Sequence, residues 1–244
     1  MIKTRLRVFY TMSNVDSLVE KWVEEGLKHA LIDVDNTLVK ANITELYFLL
    51  KRNRMQRRWQ WYLWCAYFAV AWAPLYMMLD ALNREWFQRA FYKRYHEFSI
   101  EQIEAGAEQL YRQKCQHSLI VPTDQLIKCL RQHHISITLL STNIDPMVRR
   151  FASHYGVDYT CLRVDNHGSC TQVNLETLRD FKYRYAASYP SSSLLAVADS
   201  KHDLPVLQQA AFAVVISNRR SSWMRRIGRT YTLFPRECIH STSP

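Results

Sequence analysis

Two short apolar runs, Ala30-Leu31-Ile32 and Leu194-Leu195-Ala196-Val197-Ala198, each stop at an aspartate, and a second aspartate follows close behind each: Asp35 after Asp33, Asp203 after Asp199. Unbroken apolar runs of this length suit strands buried on both faces, as in a parallel α/β sheet. A strand repeats every two residues, so Asp33 and Asp35 are expected on one side where the first strand ends. In an open α/β sheet, ligands bind in the crevice beyond the carboxyl ends of the strands. If the two strands are neighbours, all four acids converge there. Carboxylates that close repel, and burial raises the cost of keeping them ionised, so a cation or a proton must offset them. Hard oxygen donors without a nearby His/Cys cluster favour Mg2+ over zinc, with one carboxylate left for chemistry. A polar turn explains Asp35-Asn36-Thr37, and a helix-start acid explains Asp203 alone, but neither explains both pairs.

Between the pairs lies a third predicted strand, Ile135 to Asn143, followed by Asp145-Pro146 and a helical pattern. Asp145 reads as an N-cap with proline in the first turn. Ser141 and Thr142, at a strand end beside a helix start, are suited to holding phosphate oxygens. Lys182 is the only lysine between Ser141 and Asp199. A lone lysine is ordinarily a solvated charge, but here it would supply a further cation beside a doubly charged phosphate.

In this order, Asp33-Val34-Asp35-Asn36-Thr37, Ser141, Lys182 and Asp199-Ser200-Lys201-His202-Asp203 resemble the motifs of the haloacid dehalogenase superfamily of phosphohydrolases. Asn36 and Ala198 stand where glycine is common in that superfamily. The resemblance implies an α/β, Rossmann-like core with a mainly parallel sheet. It also implies Asp33 as the nucleophile forming an aspartyl-phosphate, and Asp35 as the acid that protonates the leaving alcohol and then deprotonates water. Mg2+ would be held by Asp33, the Asp35 carbonyl, Asp199 and Asp203, and the phosphoryl oxygens by Ser141, Thr142 and Lys182.

The segments follow from the pattern. Residues 1–28 are a lead-in with an amphipathic helix near Val15 to Glu25. Residues 29–39 and 126–244 are the catalytic core, and 40–125 an inserted helical cap, free of glycine until Gly106. Ser99 and Gln102 form a predicted capping box. A helical insertion directly after the first motif resembles the subfamily that includes phosphoserine phosphatase. Six scattered cysteines read as buried or free thiols of a reducing compartment. Lys3, Arg5 and Arg7 lack an apolar stretch behind them, so no secretory signal is expected.

Trp61 to Leu79 is nineteen residues without a charge, preceded by Lys51, Arg52, Arg54, Arg57 and Arg58. As one helix it would reach ~28 Å, just enough to span a bilayer. A single crossing would put Asp33 and Asp199 on opposite sides of the membrane, so the run must stay on one side. It is a shallow hairpin bent near Pro74, an in-plane interfacial helix, or a buried cap core. Trp61, Trp64 and Trp72 suit an interface, and the basic run suits anionic lipid, so membrane contact is favoured. The basic group Arg219, Arg220, Arg225, Arg226 and Arg229 would reinforce it. The net charge of +10 permits nucleic-acid binding, but no recognition module accompanies it, and no obligatory protein partner is inferred.

The expectation is therefore a phosphomonoesterase at the cytoplasmic face of the membrane, peripheral or re-entrant. The apolar insertion is similar to that of bacterial phosphatidylglycerophosphate phosphatases of the superfamily, so a phosphorylated lipid is the expected substrate. The alternatives are a cytoplasmic phosphatase of small esters such as phosphoserine, and a membrane-anchored binding protein without turnover. Arg52, Arg54, Arg89, Lys93 and Arg94 are candidate substrate contacts by charge and position.

Overall fold

A computed structural model describes residues 15–167, 170–175, 178 and 180–237. Six parallel strands form the central sheet in the order β3-β2-β1-β6-β7-β8: β1 His29–Ile32, β2 Ser136–Ile144, β3 Asp158–Leu162, β6 Leu194–Ala198, β7 Phe212–Ile216 and β8 Thr232–Phe234. Every residue of β6 and β7 is buried, which accounts for their continuous apolar sequence. β1 lies between β2 and β6, with Ile32 opposite Val197, and Asp33 N donates to Val197 O at 3.0 Å. The two acid-bearing strand ends are therefore neighbours. A hairpin of β4 (Val164–His167) and β5 (Cys170–Val173) lies outside this sheet and was not foreseen, because it is short and polar.

The described part of the lead-in, residues 15–28, packs on the sheet without adding a strand to it. Helix α1 (Val15–Glu24) buries Val15, Leu18, Val19 and Trp22, one stripe at helical spacing. The Trp22 ring meets Phe212 at a centroid distance of 5.9 Å. Gly26, at φ 98°, turns the chain so that Leu27 N reaches Trp22 O at 2.8 Å.

After β1 the chain makes a tight turn in which Thr37, Leu38 and Val39 all donate their N–H to Val34 O, at 2.9–3.3 Å. The insertion then runs through α2 (Ile43–Arg54), α3 (Arg58–Ala71), α4 (Ala73–Leu82), α5 (Arg84–Tyr92), a 3-10 turn Lys93–Glu97 and α6 (Ile100–Gln113). The Ser99–Gln102 capping box is present. Tyr47, fully buried, meets the rings of Phe91, Tyr95 and Phe98 at 5.4–6.0 Å. Gly106 of α6 lies where a Cβ would collide with Leu50, so glycine permits the close approach of α6 to α2. Helix α7 (Val121–Gln132) packs against α1 and β2. Helix α8 (Asp145–Tyr155) links β2 to β3. Its N-cap is Ile144, so Asp145 is the first helical residue rather than the cap, with its side chain accepting from Tyr159 at 2.9 Å.

The uncharged run is an elbow and not a hairpin: α3 and α4 meet at 44° beside Trp72. Among the described residues no single helix is long and apolar enough to cross a membrane, while this bent pair passes by length and composition. The three tryptophans expected at the interface turn toward the cap instead. Trp61 stacks on Trp64 at 5.3 Å, Trp64 packs against Phe48 and Phe68, and Trp72 lies under the Arg94 guanidinium at 4.1 Å. Ring stacking and cation–π contact favour that inward packing. The outward face is formed by Tyr62, Leu63, Tyr67, Val70, Met77, Met78 and Leu82, and Val70 is 81% exposed. In the C-terminal basic group, Arg219, Arg220, Arg225 and Arg226 are exposed. Arg229 instead donates to Ala210 O and Gln208 O, at 2.5 and 2.8 Å, at the end of α10 (Leu204–Gln209). Cys65, Cys115, Cys129 and Cys161 are free thiols. The Cys170 side chain and Cys238 lie outside the described residues.

Candidate active site

Beyond the carboxyl ends of β1 and β6, core and cap enclose a cavity of about 590 Å³. Asp33, Asp35, Thr142, Lys182, Asp199 and Asp203 line it from the core, and Asp80, Leu82, Asn83, Arg84 and Gln88 from the cap. Each core side chain has a local reason for its place. Asp33 and Asp35 sit on the turn knotted at Val34. Asn36 between them and Thr37 adopts φ 58°, a left-handed conformation that asparagine tolerates better than most residues, which accounts for its use where glycine is common. Lys182 is carried by α9 (Phe181–Ala186). Asp203 ends a 3-10 turn, Lys201–Asp203, that leads into α10.

Asp33 is buried, its Oδ1 accepting from Lys182 Nζ at 2.6 Å and its Oδ2 from Thr37 Oγ1 at 3.0 Å. The same Nζ donates to Asp203 Oδ1 at 2.6 Å, and Ser200 Oγ donates to Asp203 Oδ2 at 3.1 Å. Burial opposes the charge on Lys182, but Asp203 and Asp33 outweigh it and raise its pKa above the usual lysine range. Burial, with the charge of Asp203, raises the Asp33 carboxyl even against Lys182. Asp35 is pushed up to about 7 by burial and by the charge of Asp33, opposed by a hydrogen bond from Asn143. Asp199 is also pushed up to about 7, by burial and then Asp33, against the guanidinium of Arg236, which donates to its Oδ2 at 2.8 Å.

One carboxylate oxygen from each of Asp33, Asp199 and Asp203 lies within 4.8 Å of the other two. This is a trio of hard oxygen donors, and burial, with the repulsion of neighbouring carboxylates, raises the carboxyls of Asp33 and Asp199. The set fits a divalent cation of the Mg2+ kind. The Asp35 side chain stands outside the trio, held by Asn143.

The predicted phosphate-binding residues are divided. Lys182 and Thr142 reach the cavity wall, whereas Ser141 is 1% exposed and does not line it. The register of β2 against β3 shifts between Leu140 and Ile144, and Ser141 Oγ accepts from Asn143 N at 3.0 Å inside that irregularity. The hydroxyl thus satisfies backbone freed by a bulge. Thr142 is held from the cap: its Oγ1 accepts from Gln88 Nε2 at 2.8 Å and its carbonyl from Tyr92 OH at 2.7 Å. Of the cap cations, Arg84 reaches the cavity, whereas Arg52, Arg54, Arg89, Lys93 and Arg94 do not line it. Arg89 is paired with Glu85 at 2.7 Å. Asn143, Gln88, Tyr92 and Arg236 were not assigned roles from sequence. The four-residue spacing of Gln88 and Tyr92 on one helix face was a usable signal, and Arg236 offered none.

A parallel sheet with three clustered carboxylates and a buried lysine at its carboxyl edge, roofed by a helical insertion, defines a capped α/β enzyme. The haloacid dehalogenase-like hydrolase family matches residues 30–208, and the chain belongs to that family. A comparison with curated proteins gave no match. Among solved structures, a protein of unknown function from Bordetella pertussis Tohama I has a TM-score of 0.62 at 14% identity, over 84% of this chain and 98% of its own. Phosphoserine phosphatase in its apo form has a TM-score of 0.55 at 16% identity, over 86% of this chain and 95% of its own. Cytosolic 5'-nucleotidase IIIB bound to cytidine has a TM-score of 0.56 at 10% identity, over 92% and 86%. At such identities these likenesses carry the fold alone.

Proposed function

We propose that this hydrolase cleaves phosphate monoesters through an aspartyl-phosphate. The observation that carries the reading is the setting of Asp33, which faces the cavity with its two oxygens oriented by Lys182 and Thr37. An Asp33 oxygen attacks phosphorus as the bond to the leaving oxygen breaks, and Asp35 gives its proton to that oxygen. Asp35 then takes a proton from water as the water oxygen displaces Asp33 from phosphorus. Lys182 and Thr142 would hold the phosphoryl oxygens. Asp33, Asp199 and Asp203 would hold Mg2+, which when bound offsets the charge of nucleophile and phosphate.

For the substrate we infer a phosphorylated lipid, phosphatidylglycerophosphate first, met at the cytoplasmic face of an anionic membrane. The exposed apolar face of α3 and α4 supports this, because it ends at Leu82, which also lines the catalytic cavity and is 67% exposed. Exposed Arg52, Arg54, Arg57 and Arg58 flank the start of that face, a charge pattern suited to anionic headgroups. A second reading, a small soluble ester with the elbow as cap core, is favoured by the inward stacking of Trp61, Trp64 and Phe68.

The test is phosphate release by purified protein with Mg2+, comparing phosphatidylglycerophosphate in mixed micelles with phosphoserine and an aryl phosphate, beside an Asp33→Asn control. Lipid-selective release lost in the control supports the first reading. Turnover of soluble esters alone replaces it with the second, and equal release by the control rejects Asp33 as nucleophile.

A further inference from the structure

A second hollow, of about 220 Å³, lies in the cap among α2, α3, α4 and α5. Thr44 and Phe48 of α2, Phe68 of α3, Tyr76 and Met77 of α4, and Phe87 and Phe91 of α5 supply its walls, with Ala73 at the bend and Asp80. Its few polar groups are engaged elsewhere. Asp80 pairs with Arg84 at 2.8 Å, the Thr44 hydroxyl bonds to Asn42, and the Tyr76 hydroxyl accepts from Arg94. What remains facing the hollow is carbon.

What borders it decides its meaning. Asp80 lines both this hollow and the catalytic cavity, and Asn42, bonded to Thr44 N at 2.9 Å, belongs to the catalytic side of the same junction. Met77, one turn before Asp80 on α4, also lines the hollow and is 70% exposed, among the outward apolar residues of α4. The hollow therefore adjoins the chamber holding Asp33 across Asp80 and meets the outer apolar surface at Met77. Cavities of about 150 Å³ lined by aliphatic and aromatic side chains stay dry and take up apolar guests such as benzene. At about 30 Å³ for each water-sized group, this one has room for about seven.

We propose that this hollow is an alkyl-chain subsite: it receives the first several carbons of the apolar tail of a phosphate monoester whose phosphate sits at Asp33. The inference rests on the phosphomonoesterase reading and deepens it, since it places tail recognition inside the cap and not only on its surface. Phe87 and Gln88 are adjacent on α5, so one helix would line the tail with the first and hold Thr142 with the second.

The experiment uses the whole chain with Mg2+ and a series of ethyl, butyl, hexyl and octyl phosphates, each below its micelle-forming concentration. The matching alkyl phosphonates, which are not hydrolysed, are titrated by calorimetry. The expected result is a rise in kcat/KM and in phosphonate affinity of up to about fourfold per buried methylene, levelling off when the hollow is full. Ala73→Phe, which fills the bend, should flatten both series while leaving ethyl phosphate turnover unchanged. Met77→Trp, at the outer surface, provides a second blocking variant should the first fail to fold. A flat series for both esters and phosphonates in the wild type overturns the subsite and leaves the phosphatase reading standing. A rise seen only with aggregated substrate overturns it too, assigning tail contact to the outer face. Chain-length-dependent phosphonate binding without hydrolysis of any ester keeps the subsite and rejects the hydrolytic reading instead.

Discussion

Asn143 reaches across from the end of β2 to Asp35 and donates its amide to both carboxylate oxygens, at 3.0 and 3.2 Å. The amide is oriented by its other end, because its Oδ1 accepts from Ile144 N at 2.8 Å. The contact positions the proposed proton donor and favours its charged form, opposing burial and the charge of Asp33. Asn143→Leu should therefore lower kcat about tenfold to a hundredfold, within the usual contribution of a positioned acid or base. The loss should be largest for esters with poor leaving groups, which need the proton most. Equal losses across aryl phosphates of widely different leaving-group acidity would separate Asn143 from proton transfer.

The acids at the candidate metal site give a pH dependence with a definite sign. Asp35 and Asp199 are pushed up to about 7 from an ordinary 3.8. Across that window the folded chain retains protons that the unfolded chain has lost, so stability falls as pH rises from about 4 to about 7 and then levels. Protein stripped with a chelator should melt at higher temperature at pH 5 than at pH 8. Adding Mg2+ should raise the melting temperature more at pH 8, because binding requires Asp199 to be deprotonated. The pH difference should shrink in Asp199→Asn. A Mg2+ effect larger at pH 5 would contradict the assignment of Asp199 as one of its ligands.

Asn36, at φ 58°, isolates a backbone requirement from a chemical one. Asn36→Gly should change stability by no more than a few tenths of a kcal/mol and leave activity intact. Asn36→Val forces a branched side chain into the left-handed region, and should cost about 1–3 kcal/mol and displace Asp35. Chemical denaturation of the two variants checks the difference. If valine is as well tolerated as glycine, the turn is not held in this conformation.

Much of the site was legible because its chemistry is local. Asp33 with Asp35, and Asp199 with Asp203, each follow a strand whose apolar run marks its own end, and parallel pairing of β1 with β6 brings them together. Lys182 stood out by being alone in its segment. Ser141 lies off the cavity wall, at the register shift between Leu140 and Ile144, which breaks the strict alternation that sequence reading assumes. The packing of the tryptophans was hidden for a different reason. An uncharged helix has no polar face to mark its outside, so Trp61 and Trp64 gave no sign that they stack inward while Val70 faces out. Arg236 reaches Asp199 only through the path of the C-terminal segment after β8, which no local pattern encodes.

The same register shift joins the cap to the catalytic core. Thr142 sits inside the irregularity, where its carbonyl accepts from Tyr92 OH at 2.7 Å and its hydroxyl from Gln88 Nε2 at 2.8 Å. Tyr92 is 1% exposed, so removing its hydroxyl leaves a part-buried carbonyl without that donor. Tyr92→Phe should cost about 1–3 kcal/mol of stability, the range for an unsatisfied buried group. Gln88→Ala should cost less, because the freed Thr142 hydroxyl faces the cavity and can turn to water. Both variants act on one residue, so their effects should not add, with a coupling of about 0.5 kcal/mol or more in a double-mutant cycle. In activity, both should raise KM for a phosphate ester, since Thr142 is the strand-end hydroxyl on the cavity wall. Strictly additive stabilities together with an unchanged KM would mean that the cap merely covers Thr142 and does not hold it.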